Sequence, residues 1–283
     1  MTEQQRDTIP PRPVLDAFGV RGAPVPLPGG QGRSVLVGGF VFKPAEGAGD
    51  EVEWAASLFE TLAPGRGFRV PRPLRATDGR SLVDGWTAGE FLTGEPGPRG
   101  QWSGVLSAGR AFHAALRHLP RPDFLDHRTH PWAVADRVAW GERGIDVTDD
   151  LDSPYSALLE LRRPVEQDAA QLIHGDLTGN VLFAADAEPA VIDFSPYWRP
   201  PVFAEAVVVA DGLLWFDLPP DLPARMSDRP DWQQMVIRAL IFRLVAQSES
   251  TRPSGQDQCG EAERYMRAID VVVKKLAGPG SRG

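Results

Sequence analysis

The apolar positions of this chain change period along its length. In the first third they come in short runs. Val35–Val37 and Phe40–Phe42 stand on either side of Gly38-Gly39, a pair that suits a two-residue hairpin turn. Asp78-Gly79 stands in the same way between Leu74–Thr77 and Ser81–Val83. One helical pattern interrupts them: over Glu51–Leu62, Trp54, Ala55, Leu58, Phe59 and Leu62 form an apolar stripe. Asp50 before it and Glu53 within it spell a capping box. After Thr93-Gly94-Glu95-Pro96-Gly97-Pro98, a stretch dense in helix breakers, the pattern becomes helical. It gives Trp102–His118, the fragments Tyr155–Leu161 and Val165–Ala170, then Ala204–Phe216, Trp232–Gln247 and Glu261–Leu276. Residues 1–13 read as a polar, proline-bearing arm, and Asp146–Asp152 as a solvated acidic loop.

Gln171 to Trp198 departs from the helical trend. Val181–Phe183 and Ala190–Ile192, joined by the polar Ala184–Pro189, read as a β-hairpin. Such a hairpin brings Asp176, Asn180 and Asp193 to one end. Their oxygens suit a hard divalent cation such as Mg²⁺, with a carboxylate left over to accept a proton. Taken alone, either motif also fits an ordinary loop pair or a strand-end cap. Upstream, Gly29, Gly30 and Gly32 precede the first strand, where backbone N–H groups can be laid over phosphates. The same glycines also suit a plain loop. His113 has no acidic or second histidine neighbour at ligand spacing, and reads as a packed core residue.

Composition narrows the partners. The 283 residues include 30 Lys and Arg against 38 Asp and Glu, a net charge of −8. That excludes the basic surface a nucleic-acid partner needs, and it mildly favours a cationic small molecule. Cys259 is the only cysteine, so no intramolecular disulfide and no cysteine metal site is expected. No apolar run approaches the roughly 18 residues of a membrane span, and Met1–Pro13 has no apolar core of a signal peptide. A cytoplasmic protein without a membrane partner is the expectation. The composition carries no signal of oligomeric state.

His174-Gly175-Asp176-Leu177, then Asn180, then a short strand pair and Ile192-Asp193-Phe194, resemble the catalytic and metal-binding segments of the protein-kinase-like fold. Gly175 points to the aminoglycoside phosphotransferase branch, whose members phosphorylate small molecules. HGDLTGNVLF with FSPYWRP is similar to a group of actinobacterial members of that branch. The resemblance implies a two-lobed α+β fold. A small antiparallel sheet lobe with one helix would span 14–93, and a mainly helical lobe 94–276. It implies ATP and Mg²⁺ as cofactors, and transfer of the γ-phosphoryl group to a hydroxyl of an amino-sugar or amino-alcohol.

In that frame Asp176 accepts the hydroxyl proton, while Asn180 and Asp193 hold the metal. Lys43, ending the strand VFK, resembles the V-A-I-K lysine that contacts the α- and β-phosphates. Glu51 is its expected ion-pair partner, with Glu53 as the second choice. Gly29, Gly30 and Gly32 would cover the phosphates, and the backbone of Glu90, Phe91 and Leu92 would meet adenine. Tyr197, Trp198 and Arg199 are candidates for acceptor contact, and Glu205, Asp211 and Asp217 are acids available to line an acceptor pocket. The chain departs from the kinase pattern twice. Asn180 follows Asp176 by four residues instead of five, and Thr178 stands where protein kinases often carry a lysine. A shortened loop that loses Asn180 from the metal would leave a nucleotide-binding protein without turnover, which is the alternative reading.

Overall fold

The structure, a computed structural model, describes residues 9–28, 32–45, 49–63, 67–166, 168–216, 218–219, 221–226, 228–229, 231–251 and 260–276. In chain order its elements begin with α1 (Arg12–Ala17), β1 (Val25–Pro26), β2 (Val35–Val37), β3 (Phe40–Pro44), α2 (Gly49–Thr61), β4 (Pro73–Leu74), β5 (Trp86–Glu90) and β6 (Glu95–Pro96). There follow α3 (Trp102–Leu116), α4 (Phe124–His127), α5 (Pro131–Ala139), α6 (Asp149–Leu161), β7 (Gln171–His174), β8 (Val181–Ala184), β9 (Ala187–Val191) and β10 (Pro196–Arg199). The chain ends with α7 (Pro201–Trp215), α8 (Leu222–Arg225), α9 (Trp232–Thr251) and α10 (Glu261–Leu276). Two compact units result. The first contains the residues up to Pro96 together with Val181–Ile192; the second contains Gly97–Asn180 and the residues from Asp193 on.

The first unit is built on an antiparallel sheet of order β1-β2-β3-β5-β4. Gly38 (φ +58°) and Gly39 (φ +88°) form the expected tight turn, so Val37 pairs with Phe40. Positive φ at both turn residues matches the strands' right-handed twist, and glycine adopts it without steric cost. The turn at Asp78-Gly79 does form, but the strands expected around it do not. Ladder pairing there is limited to Val83 with Trp86 across Asp84-Gly85, while β4 pairs with β5. The polar arm expected over residues 1–13 gives way at Arg12 to α1, with Pro13 in its first turn, where a missing N–H costs nothing. Val14 and Leu15 of α1 enter the core with Val35, Val37, Phe42 and Trp86, and Phe18 meets Phe42 edge-on at 5.6 Å.

A second sheet of this unit has the order β6-β8-β9. The hairpin read from Val181 onward is present, with Val181 opposite Val191 and Leu182 opposite Ala190. It groups with the first unit, although the expected division had placed it within 94–276. Glu95 and Pro96 pair with Phe183 and Leu182, and Arg69 exchanges backbone bonds of 2.8 Å with Pro189 and Val191. These are long-range pairings.

The second unit is mainly helical. α9 is apolar nearly all round and packs against α5, α6, α7 and α10, burying Met235 through Ala246. A helix buried on every side must find partners for any charge it carries. β7 and β10 form a two-stranded antiparallel ribbon, with His174 opposite Pro196 and Gln171 opposite Arg199. The acidic stretch expected as a loop instead opens α6. Asp149, Asp150 and Asp152 lie in its first turn, where the helix dipole favours negative charge. Val165–Ala170 is not helical: 162–166 is irregular and 168–169 forms a turn.

Candidate active site

The loop after β7 places the candidate catalytic residue. His174 donates its backbone N–H to His113 Nε2 on α3 at 3.0 Å, and its Nδ1 accepts the Asp176 N–H at 3.1 Å. Phe112 and Phe194 pack edge to face against each other (5.3 Å), and both lie against the His174 ring. A Cβ on Gly175 would lie 2.4 Å from the Tyr197 ring, so only glycine lets β10 approach this close. The packing of the ribbon therefore accounts for the glycine of the motif.

His113 is buried, and because its Nε2 accepts a hydrogen bond the imidazole is neutral. Burial, then the nearby His174, lowers its pKa from 6.5 to about 3. Stability from this group is full above pH 6.5 and is lost as pH falls toward 3, because the unfolded chain binds the proton first. A slope of about 1.4 kcal/mol per pH unit is expected below the unfolded value. Urea unfolding between neutral and mildly acidic pH checks this against His113→Asn, which does not titrate. Equal pH slopes for the two proteins would contradict it.

Asp176 is held from two sides. Arg243 on α9 donates Nη2–H to Asp176 Oδ1 at 2.6 Å, and Asn180 donates Nδ2–H to the Asp176 carbonyl at 2.8 Å and to Oδ2 at 3.3 Å. The shortened Asp176–Asn180 spacing is closed by a turn in which the Asn180 N–H reaches the Leu177 carbonyl at 3.0 Å. Gly179 takes φ +83° there, the positive φ that the third residue of a type II turn requires. Asp176 keeps a side-chain exposure of 39%, whereas Arg243 and Asp211 are at 5% and 3%. Arg243 also binds both Asp211 oxygens, at 2.6 and 2.7 Å, and lies 5.3 Å from the Trp132 ring centre. Desolvation of Arg243 is outweighed by the two carboxylates, which hold its pKa above the ordinary value.

Sequence reasoning missed Arg243. The signal was present: an arginine in IFRLV, inside an otherwise apolar helix, with Asp211 in VADGL on another. Opposite charges in two buried helices imply a pair. Asp211 and Glu205, expected as possible linings for a cationic acceptor, are both engaged. Glu205 is bound by Arg110 at 3.0 and 2.6 Å, and Asp211 by Arg243. Asp217 lies outside the described residues. Two of the expected acceptor contacts are also packed away. Tyr197 is buried against Phe242, and Arg199 is bound by Asp136 (3.0 and 2.7 Å) and Glu142 (2.7 and 3.1 Å).

The chain leaves the second unit after Asn180 and re-enters it at Asp193, the two candidate metal ligands. Asp193 has φ +50°, an uncommon conformation for a residue with a Cβ. Such outliers concentrate at functional positions. Among the described residues no group of three or more His, Cys, Asp or Glu is arranged to hold a metal ion. Asn180 and Asp193 supply oxygen donors nonetheless. The hydrogen bonds of Asn180 use its amide nitrogen, leaving Oδ1 as a donor atom suited to Mg²⁺.

On the first unit, Lys43 lies on β3 opposite Thr87 of β5, and Glu51 lies in the first turn of α2; both are half-buried. Glu53, the second choice, is committed elsewhere. Its Oε1 accepts the Ser81 N–H at 2.6 Å and its Oε2 the Arg75 guanidinium at 3.0 Å, so the expected capping box does not form. Of the backbone donors expected for adenine, Glu90 N–H already bonds the Arg72 carbonyl and Phe91 N–H the Gly39 carbonyl. Leu92 N–H has no backbone partner among the described residues. Gly32 has φ +69° with nothing within 4 Å of an added Cβ, and Gly29 and Gly30 lie outside the described residues.

A sheet unit carrying the lysine strand and a helical unit carrying the His-Gly-Asp loop define a two-lobed α+β fold of the protein-kinase-like class. Residues 25–234 match the model of the phosphotransferase enzyme family, and the chain belongs to that family. Solved structures with this fold include a thermostable mutant of the aminoglycoside phosphotransferase APH(4)-Ia in ternary complex with AMP-PNP and hygromycin B. It is 17% identical, with a TM-score of 0.59 over 93% of this chain and 97% of that one. Spectinomycin phosphotransferase APH(9)-Ia, in complex with ADP and spectinomycin, is 14% identical (TM-score 0.53, 98% of each chain). An aminoglycoside phosphotransferase from Alicyclobacillus acidocaldarius is also 14% identical (TM-score 0.57, 95% and 94%). No curated protein matches the sequence. No helix among the described residues is long and apolar enough to cross a membrane.

Proposed function

We propose that this protein transfers the γ-phosphoryl group of ATP to a hydroxyl of a small molecule. The observation that carries the reading is the Asp176 carboxylate, gripped by Arg243 on one oxygen and Asn180 on the other while remaining open to solvent. A carboxylate fixed in that way can orient an acceptor hydroxyl and take its proton, which is catalysis by positioning and acid–base transfer. Arg243 is already bound by two carboxylates, so it acts as a positioning group for Asp176 and leaves the phosphate charge to other residues.

Asn180 and Asp193 would hold Mg²⁺, whose chemistry is to neutralise charge on the transferring phosphates. Lys43, steadied by Glu51, would bind the α- and β-phosphates, with Gly29, Gly30 and Gly32 above them. The Leu92 N–H, which has no backbone partner among the described residues, and the Glu90 carbonyl would meet adenine. The complexes of similar folds with ADP or AMP-PNP and with spectinomycin or hygromycin B support an ATP-type nucleotide and a polyhydroxylated amine as the substrate class. The engagement of Glu205 and Asp211 in ion pairs removes two acids from the acceptor's reach. The net charge is therefore a poor guide to the acceptor.

Calorimetric titration with ATP, with and without Mg²⁺, tests the reading on wild type and Asp193→Ala. Metal-dependent binding is expected in wild type and is expected to be lost in the variant. ADP release with one member of an amino-sugar and amino-alcohol panel identifies the acceptor. Tight binding of ATP without turnover across the panel would instead support a nucleotide-binding protein. Absence of ATP binding would sink both.

A further inference from the structure

A cavity of about 360 Å³ in the second unit is lined by Trp140, Gly141, Arg162, Arg163, Val165 and Arg238, with Pro164 between them. Its lining brings three guanidinium groups together. No carboxylate among the described residues forms an ion pair with any of the three. Their hydrogen bonds run to backbone carbonyls and one amide. Arg162 reaches the Val138 carbonyl, Arg163 those of Glu160 and Arg162, and Arg238 that of Arg163 and the Gln234 side chain. Such bonds satisfy donors without bringing a carboxylate of the described residues into contact, and Asp231 acts on Arg238 only through its charge.

A second observation is independent of the first. Two buried donors, Arg238 Nε and Trp140 Nε1, make no hydrogen bond among the described residues, and both belong to residues that line this cavity. Arg238 is only 3% exposed. Buried donors without partners are rare in folded proteins, and one explanation for them is an acceptor supplied from outside the chain. Burial, and then the charge of Arg162, lowers the Arg238 pKa to about 10, and the opposing charge of Asp231 does not offset them. Arg199, whose guanidinium also lies over the Trp140 ring, is by contrast bound by Asp136 and Glu142.

We infer that this cavity binds a small phosphate ester through Arg162, Arg163, Arg238 and the Trp140 indole N–H. A phosphate dianion matches several guanidiniums better than a single carboxylate does, and its oxygens accept the bonds these donors still offer. The volume lies at the lower end of small-ligand sites, which leaves room for more than the phosphate group. The site is separate from Asp176. Arg238 and Arg243 lie five residues apart on α9, about 7.5 Å along its axis and about 140° around it, so they face different ways.

The test is calorimetric titration of the full chain with inorganic phosphate, glycerol 3-phosphate and succinate, repeated on Trp140→Phe and Arg162→Met. Arg238→Met would also remove the bonds that tie α9 to Arg163, so the test does not depend on it. Saturable binding of both phosphate ligands is expected, weakened roughly tenfold in each variant. Trp140→Phe removes the donor together with part of an indole that packs against Phe203 and under Arg199, so without ligand it is expected to melt lower than wild type, and Arg162→Met carries the test independently of that loss. Phosphate binding unchanged in both variants would place the anion elsewhere and overturn the proposal. So would an absence of saturable phosphate binding. Tighter binding of succinate than of either phosphate would overturn the ligand class.

Discussion

Asp176→Asn is expected to lower turnover by roughly 10²–10⁴-fold, the usual contribution of a positioned acid–base group. The substitution preserves volume and the carbonyl-type oxygen that faces Arg243, while it removes the ability to take a proton. Arg243 retains both bonds to Asp211 in the variant, and the partly exposed site tolerates an amide. The loss should therefore fall on kcat, with ATP affinity changed by no more than a few-fold. That pattern separates Asp176 from Asp193, whose loss is expected to act on metal-dependent nucleotide binding. Steady-state kinetics with the acceptor found in the panel, alongside calorimetry with MgATP, makes the comparison. A kcat within a few-fold of wild type would remove Asp176 from the proton transfer.

Much of the site's framework could be read from local pattern. The Gly38-Gly39 turn and the hairpin from Val181 to Val191 follow from short apolar runs bounded by turn residues. Gly179 was the residue able to close a loop one residue short, and it does so at positive φ. What local pattern could not supply was partner choice. Glu53 scores as a capping residue from its spacing to Asp50, but Arg75 and the Ser81 N–H, remote in sequence, offer it better contacts. The acids Glu205 and Asp211 were visible as charges, and their engagement depends on Arg110 and Arg243 from other helices. The grouping of the Val181 hairpin with the first unit likewise rests on β6, more than eighty residues earlier in the chain. Pairings over such separations are set by tertiary packing, which one sequence does not display.

Arg243→Met is expected to destabilise the protein by about 3–5 kcal/mol at neutral pH, the range for breaking a buried ion pair by removing one partner. Methionine fills much of the space beside Trp132 and Phe242, so the loss is chiefly electrostatic. It leaves Asp211, at 3% exposure, as a buried charge with no cation. Burial already pushes the Asp211 carboxyl upward in pKa, and Arg243 is the main opposing influence. Without it the folded pKa rises further above the unfolded value. The stability of the variant is then greatest below the unfolded pKa and falls as pH rises through the folded one. The deficit relative to wild type should therefore shrink as pH is lowered from neutral toward about 4. Adding Asp211→Asn to Arg243→Met removes the stranded charge and is expected to recover a large part of the loss, whereas Asp176→Asn, at the exposed end of the triad, should recover little. Urea unfolding of the single and double variants at neutral and acidic pH measures these differences. A loss below about 1 kcal/mol for Arg243→Met, the size of a surface pair, would mean that the triad does not anchor Asp176 to the helical core.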